Sequence, residues 1–288
     1  MEQESAVTQS LAQPVRCTHC DGGDPAAPAI PSAASLIYAV GKIEARFPSL
    51  SVEKEFAQVA GRSDTAGKTD QQLLHTVLAH PDNRYLARQV CWVLTVQGLE
   101  TYLLRPHDLA DLDRLLGAIR PQPNPLDLDI VLGARGPIAP PDYCNGLMVP
   151  IVSVAQIYSF DQDTLLKAIP RPDGLDAKKF RAASEEIFAR ILQMTDNAGS
   201  TAEHRALNYL AMRYPAIYAR AAESFARDFS LTAVETRPSN IGVLREIVEV
   251  YFVFTNRNTD FVEKYMVRVD VTEGFPFLVT KLAPCYDR

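Results

Sequence analysis

Nothing in this 288-residue chain approaches the roughly 20 consecutive apolar residues that a membrane-spanning helix needs. Blocks of lysine and arginine are missing too. With 29 basic residues against 35 acidic ones the formal charge is -6, so the chain lacks the basic patch that would hold nucleic-acid phosphates. Cysteine is scarce and odd in number, five at uneven spacings, which is not the pattern of a secreted, disulfide-stapled domain. The first 16 residues contain no basic stretch followed by an apolar one, so no signal peptide is expected. A reducing, cytoplasmic setting is the resulting expectation. Zinc-protease spacing of the H-E-x-x-H kind is absent, and neither Gly199-Ser200 nor Gly133 to Gly136 has the length or setting of a nucleophile elbow or a phosphate loop. Internal repeats and coiled-coil heptads are likewise lacking.

What is present is an ordinary globular composition, 47% hydrophobic and 22% charged, in a chain long enough to bury a large core. Residues 1–35 are rich in Ala, Pro, Ser, Gln and Gly without periodicity and are expected to form a mobile arm. Residues 36–288 are expected to form a single α+β domain, with any sub-boundary near 170–176. The strongest local signal runs from Asn83 to Pro106. Val90 to Val96 is apolar and β-favouring almost without a break and contains Trp92, the single tryptophan; Gln97-Gly98 interrupts it and Thr101 to Leu104 resumes it. This reads as an antiparallel hairpin whose first strand is covered on both faces.

Elsewhere, Leu36 to Val40 reads as a short strand, and Glu53 to Ala60 as a short helix capped by Ser51. Thr69 and Gln72 have capping-box spacing ahead of a helix, and Leu109, Leu112, Leu115, Leu116 and Ile119 form one helical stripe that ends at the prolines 121, 123 and 125. Leu126 to Leu132 and Met148 to Tyr158 read as strands around a long loop of turn residues. Asp161 to Ile169, Ala177 to Met194, Thr201 to Tyr214 and Pro215 to Phe229 read as helices, with Gly199 ending the second. Four β runs follow, Leu231 to Thr236, Arg245 to Thr255, Val262 to Thr272 and Phe277 to Leu282, and should form an antiparallel meander. Tyr265, Val267, Val269 and Val271 should face its core, with Lys264, Arg268 and Asp270 in water, and Tyr251, Phe252 and Tyr265 should anchor its packing. The fold class is therefore α+β, antiparallel sheet with helices packed alongside. An exposed sheet edge could accept an extended peptide as an added strand.

Candidate chemistry is thin. Asp127 and Asp129 fall on one side of a strand and are a dyad or metal pair only if they are not simply the wet half of an alternating strand. His75, His80 and His204 read as surface residues. Cys17 and Cys20 have the C-x2-C spacing with which one turn presents two thiolates to a tetrahedral ion, and Asp21-Gly22-Gly23 supplies the tight backbone after them. With no second C-x2-C, the remaining ligands must be distant. Cys144, in a polar Pro/Gly loop, is assigned as third and Cys91 as fourth, although its strand setting also suits a buried, inert thiol; His19 and Cys285 stand in reserve. Four thiolates would make this a closed, structural zinc site that pins the arm to the body.

The segments YAVGKIEARFPSLSVEKEFAQ, NRYLARQVCWVLTVQGLETYLL, GPIAPPDYCNGLMVPIV, HRALNYLAMRYPAIY and RVDVTEGFPFLVTKLAPCYDR together resemble the PatG-type cyanobactin maturation proteins, outside their protease domain. The likeness covers about Leu36 to Arg288. It implies a stand-alone accessory protein of ribosomal peptide (RiPP) biosynthesis that binds the precursor peptide or a partner modifying enzyme, with no catalytic residues carried over and without the subtilisin-like triad. The competing reading is a metal- or thiol-dependent enzyme that modifies such a peptide.

Overall fold

The computed structural model describes residues 35–61, 67–122, 124, 127–161, 176–192, 197–241 and 244–285, all within one compact unit, Ala34–Arg288. Its first element, β1 (Ser35–Arg46), serves two neighbours in turn: Ser35 to Gly41 pair with β4 (Asp127–Ile138), and Lys42 to Arg46 pair with β2 (Cys91–Val96). The change of partner falls at Gly41, where a Cβ would collide with the Thr95 carbonyl oxygen, so this corner of the sheet requires glycine. β2 returns through Gln97-Gly98, both in the left-handed region (φ 51° and 81°), into β3 (Leu99–Arg105), as the expected hairpin. β3 lies parallel to β5 (Pro150–Asp161), and β5 is antiparallel to β4.

These pairings close a barrel in the order β1-β2-β3-β5-β4. A parallel pair needs a crossover, and the segment between β3 and β4 contains α4 (Leu109–Ala118), capped by Asp108. Five strands in this Greek-key order, with a helix between the third and fourth, make an OB-type barrel. The connection from β1 to β2 carries α1 (Leu50–Ala60), α2 (Asp70–Ala79) and α3 (Arg84–Gln89). The Thr69–Gln72 capping box forms as expected; α1 is capped by Ser49 rather than Ser51. Alternation along the strands fills the barrel with Ile37, Ala39, Trp92, Leu94, Tyr102, Leu104, Val131 and Val152, and Phe56, Leu78, Leu86 and Leu112 of the helices join that core.

The outward faces of β1 and β4 present Tyr38, Val40, Ile130 and Leu132 to a second core. It is shared with α5 (Ala177–Leu192), α6 (Ala202–Arg213), α7 (Ala216–Ala226) and the meander β6 (Phe229–Pro238), β7 (Ile247–Asn256), β8 (Val262–Asp270) and β9 (Phe277–Cys285). Seven α-helices and nine strands are thus described, an α+β protein. Within the meander Tyr265, Val267 and Val269 are buried as expected. Asp270 is not in water: it is 2% exposed, accepts the Thr272 N–H at 2.9 Å and lies 3.6 Å from the Arg245 guanidinium. Tyr251 lies outside the buried set that holds Phe252, and its hydroxyl donates to Glu249 at 2.6 Å. The helix expected over Asp161 to Ile169 lies outside the described residues.

Candidate functional site

The outward side of β2 and β3 would face solvent in a bare barrel, yet Cys91, Val93 and Leu103 are buried there. What covers them is the β4–β5 connection: Ala139 and Cys144 are buried against them, with Leu147, Val149 and Ile151 alongside. This segment holds its own shape. Ala139 N–H donates to Val149 O at its base (2.9 Å), Gly146 N–H to Pro141 O (2.9 Å) and Leu147 N–H to Cys144 O (2.9 Å), and Asn145 and Gly146 adopt the left-handed conformation that closes the turn. A disulfide from Cys91 to Cys144, Cα atoms 6.1 Å apart, fastens it to the barrel. In OB-type barrels the face of strands 2 and 3 and the flanking loops carry ligands. Here a loop of the chain itself lies on that face.

The expectation that these cysteines are unpaired is therefore corrected. A metal binds thiolate, and a sulfur committed to a disulfide is not one, so Cys91 and Cys144 as they stand cannot complete a tetrathiolate site. Cys17 and Cys20, with His19, lie outside the described residues. Cys285, a free thiol, ends β9. Among the described residues no group of three or more His, Cys, Asp or Glu side chains converges as a metal site. His80 caps the Pro81–Asn83 turn by accepting the Asp82 N–H at 3.3 Å.

Beside the clamped loop opens a cleft of about 660 Å³ lined by Arg88, Arg105, His107, Leu109 and Tyr143, among others. Its charge is unbalanced for a local reason. Asp111 is taken by Arg114 at 2.8 Å and Asp113 by Arg84 at 2.6 Å, while Asp108 accepts the Asp111 N–H at 2.8 Å as the cap of α4. Among the described residues this leaves Arg88 and Arg105 without an acidic partner. Arg88 comes from α3, Arg105 from the end of β3 and Tyr143 from the residue before the disulfide. Sequence reasoning missed all three residues, because they are brought together from three segments and each is unremarkable alone.

The acidic pair has a different job. Asp129 is 4% exposed, accepting the Ile43 N–H at 2.8 Å and the Ser159 hydroxyl at 2.6 Å, where β1 changes partner. Asp127 pairs instead with Arg120 at 2.5 Å and accepts the Asn124 N–H at 2.7 Å. Burial pushes the Asp129 carboxyl above its ordinary range, against the pull of Ser159 and Ile43. A raised folded-state value means that the native state holds the proton more tightly, so its contribution favours folding at low pH and is lost as pH rises through that value. Asp129→Asn keeps an acceptor for Ile43 and removes the charge, so its stability relative to the parent should rise on going from acidic to neutral pH. Asp129→Ala leaves the Ile43 N–H unpaired and should cost about 1–3 kcal/mol by urea unfolding. If both variants unfold at the same midpoint, the capping role is wrong.

The sheet edges are partly covered. On β9 the Leu282 N–H donates to the Tyr214 hydroxyl at 2.9 Å, and the Leu278 backbone bonds the Tyr209 hydroxyl. On β6, Thr232 O accepts from Arg190 at 3.1 Å. Tyr209 also packs edge-on against Tyr38 and Phe275, and Arg213 lies over the rings of Tyr158 and Phe275. Burial raises the Tyr38 hydroxyl to about 12, with the neighbouring Arg213 pulling it down. This cluster joins barrel, α6 and meander, a structural use that removes those tyrosines from the candidate chemistry.

Residues 175–285, which hold α5–α7 and the meander, match the family described as PatG C-terminal. Among solved structures, the fold is similar to one titled "PatG Domain of Unknown Function", at 20% identity and a TM-score of 0.71, over 88% of this chain and 99% of that one. No curated protein matches the chain. The family match is thus confined to residues 175–285, and the likeness to the solved structure is one of fold.

Proposed function

We propose that this PatG-type protein is an accessory binding module of ribosomal peptide biosynthesis of the cyanobactin kind, and that it holds an acidic stretch of a precursor peptide in the cleft beside the clamped loop. The observation that carries this reading is the pair Arg88 and Arg105, left without acidic partners among the described residues of a chain of net charge -6. Two guanidiniums can each take a carboxylate through paired N–H donors, and Tyr143 and the exposed Leu109 give a side chain between the acids something apolar to rest on. Two arginines against the single lining carboxylate of Asp108 leave the cleft net positive in a chain of net charge -6, which favours an acidic segment there. Fold alone would not name a ligand; the PatG-type likeness fits peptide biosynthesis, and the cleft chemistry supplies the class of segment.

Titration of the protein with the precursor encoded beside its gene, and with a glutamate-rich probe peptide of matched length, tests this. Arg88→Ala combined with Arg105→Ala should weaken binding by about tenfold or more and flatten its dependence on salt. Equal affinity of parent and double variant would refute the cleft. The same incubations read by mass spectrometry separate a module from an enzyme, since a module leaves the mass of the peptide unchanged.

The zinc reading remains a proposal of its own and now requires the reduced protein, in which Cys91 and Cys144 are thiols again. Metal analysis should find stoichiometric zinc only after reduction. Zinc that persists when Cys17 and Cys20 are both changed to Ser would count against it.

A further inference from the structure

We infer that the Cys91–Cys144 disulfide is a redox latch that holds the β4–β5 loop on the β2–β3 face and thereby sets the affinity of the neighbouring cleft. The affinity half of this rests on the cleft being the peptide site; the latch half does not.

Little besides the disulfide fastens the loop to the barrel. Its backbone hydrogen bonds run within the segment, from Ala139 to Val149, from Gly146 to Pro141 and from Leu147 to Cys144. Its attachment to the barrel is a small apolar cluster, Cys91, Val93 and Leu103 below and Ala139 and Cys144 above, plus the one covalent bond. The cluster, completed by the half-buried Leu147, Val149 and Ile151, is small and separate from both main cores. The disulfide also spans 53 residues of sequence, so it restricts a long stretch of chain when closed. Removing it leaves the loop with a shallow hold.

The bond is also placed to be opened. Cys144, with Asn145, Gly146 and Leu147, lines a cavity of about 520 Å³ that also touches Arg46, Glu53 and Glu100. Of the two cysteines Cys144, itself only 3% exposed, is the one that lines this cavity, so a small dithiol entering there approaches the bond from the Cys144 side. Its thiolate attacks Cys144 Sγ, the Sγ–Sγ bond breaks with its electron pair leaving on Cys91 as thiolate, and the second thiol of the reagent closes on the mixed disulfide. Two protein thiols and one oxidised dithiol result, and the electrons balance. A pair of this kind is closed in an oxidising compartment and opened by thiols in a reducing one, where lasting disulfides are uncommon and those that form are mostly regulatory.

Release is felt in the cleft because Tyr143, one of its walls, is the residue next to Cys144. With the latch open, Tyr143 leaves Arg88 and Arg105, and the Val93 and Leu103 surface is uncovered.

The test uses the full chain in two states, air-oxidised and treated with dithiothreitol, together with Cys91→Ser/Cys144→Ser as a permanently open form. Alkylation and intact mass should show that the pair is closed in the oxidised protein; both thiols free in air would overturn the proposal. Amide exchange at Ala139 and Leu147 should accelerate about tenfold or more on reduction and match the double variant, which itself should not respond to the reductant. Unchanged exchange overturns the latch. The glutamate-rich probe should bind the oxidised form and lose about tenfold in affinity on reduction. Accelerated exchange with unchanged affinity overturns the coupling to the cleft. Accelerated exchange with no binding to either form overturns the cleft reading instead and supports the latch.

Discussion

Val267→Asp is expected to be among the most damaging single substitutions in the chain, lowering the unfolding free energy by about 4 kcal/mol or more. Val267 is fully buried near the middle of β8, opposite Val250 of β7, in the core that the meander shares with α5, α6 and α7. The side chains that make up that core are apolar, so the introduced group must either stay ionised in apolar surroundings or take up a proton against its ordinary preference. Because domains of this kind are stable by only about 5–15 kcal/mol, such a loss should be visible as a large drop in the urea midpoint and in Tm. Acid should relieve part of it, since the protonated carboxyl costs less to bury and the variant therefore gains on the parent as pH falls. Met266→Asp, one residue earlier, half-buried and outside the core, should cost about 1 kcal/mol or less. Similar midpoints for the two variants would mean that the assignment of faces is wrong.

That prediction could be made from the sequence because β8 shows strict alternation, Tyr265, Val267 and Val269 against Lys264, Met266 and Arg268, and turn residues mark both ends. The whole meander was readable for this reason: each strand pairs with the next one along the chain. The hairpin was readable too, down to the doubly covered β2, since a strand buried on both faces leaves an unbroken apolar run. The barrel was not. Its closure depends on pairing β1 with β4, some 90 residues away, and on a parallel contact between β3 and β5, and no local pattern encodes either. β1 runs beyond the expected Leu36 to Val40, because Gly41 to Arg46 opens on a glycine and alternates Lys42, Glu44 and Arg46 with Ile43 and Ala45, a composition that strand propensity does not favour. Alternation that holds for its neighbours places Asp270 in water; the end of a strand, where Thr272 and Arg245 can reach back, breaks the rule.

The functional residues were harder for a related reason. Cys144 reads from sequence as a loop cysteine outside the core runs, whereas it is buried under its own loop and bonded to Cys91. Spacing could not tell a metal ligand from a disulfide partner: a thiol 53 residues away in a strand is equally remote from a zinc and from a disulfide until the topology is known. The acidic pair shows another case, in which alternation reads both side chains as the wet half of a strand and Asp129 is instead buried. Asp129 completes the hydrogen bonding of a strand that has changed partners, and Asp127 answers Arg120.

Gly199→Ala should be nearly as costly as the Val267 change, although it adds a single methyl group. Gly199 sits between α5 and α6 with φ 71°, a region that costs an L-residue roughly 1–2 kcal/mol. A Cβ there would also strike the Tyr38 carbonyl oxygen and the Ala39 Cα of β1, both backbone atoms that cannot swing aside. The contact it would push apart is a working one. Gly199 O accepts the Tyr38 N–H at 2.9 Å, and Tyr38 O accepts from Asn208 of α6 at 2.8 Å, with Asn197 bonded to Asn208 at 2.8 Å. Loss or distortion of these buried hydrogen bonds, at about 1 kcal/mol each, added to the backbone cost, puts the expected destabilisation at roughly 3 kcal/mol or more. Gly98→Ala is the control: its φ of 81° carries the same conformational cost, but nothing lies within 4 Å of the added methyl, so about 1–2 kcal/mol is expected. Amide exchange locates the damage, with Tyr38 N–H losing protection in the Gly199 variant and keeping it in the Gly98 variant. Equal losses of stability in the two variants would show that the seam between α6 and β1 is looser than its hydrogen bonds indicate.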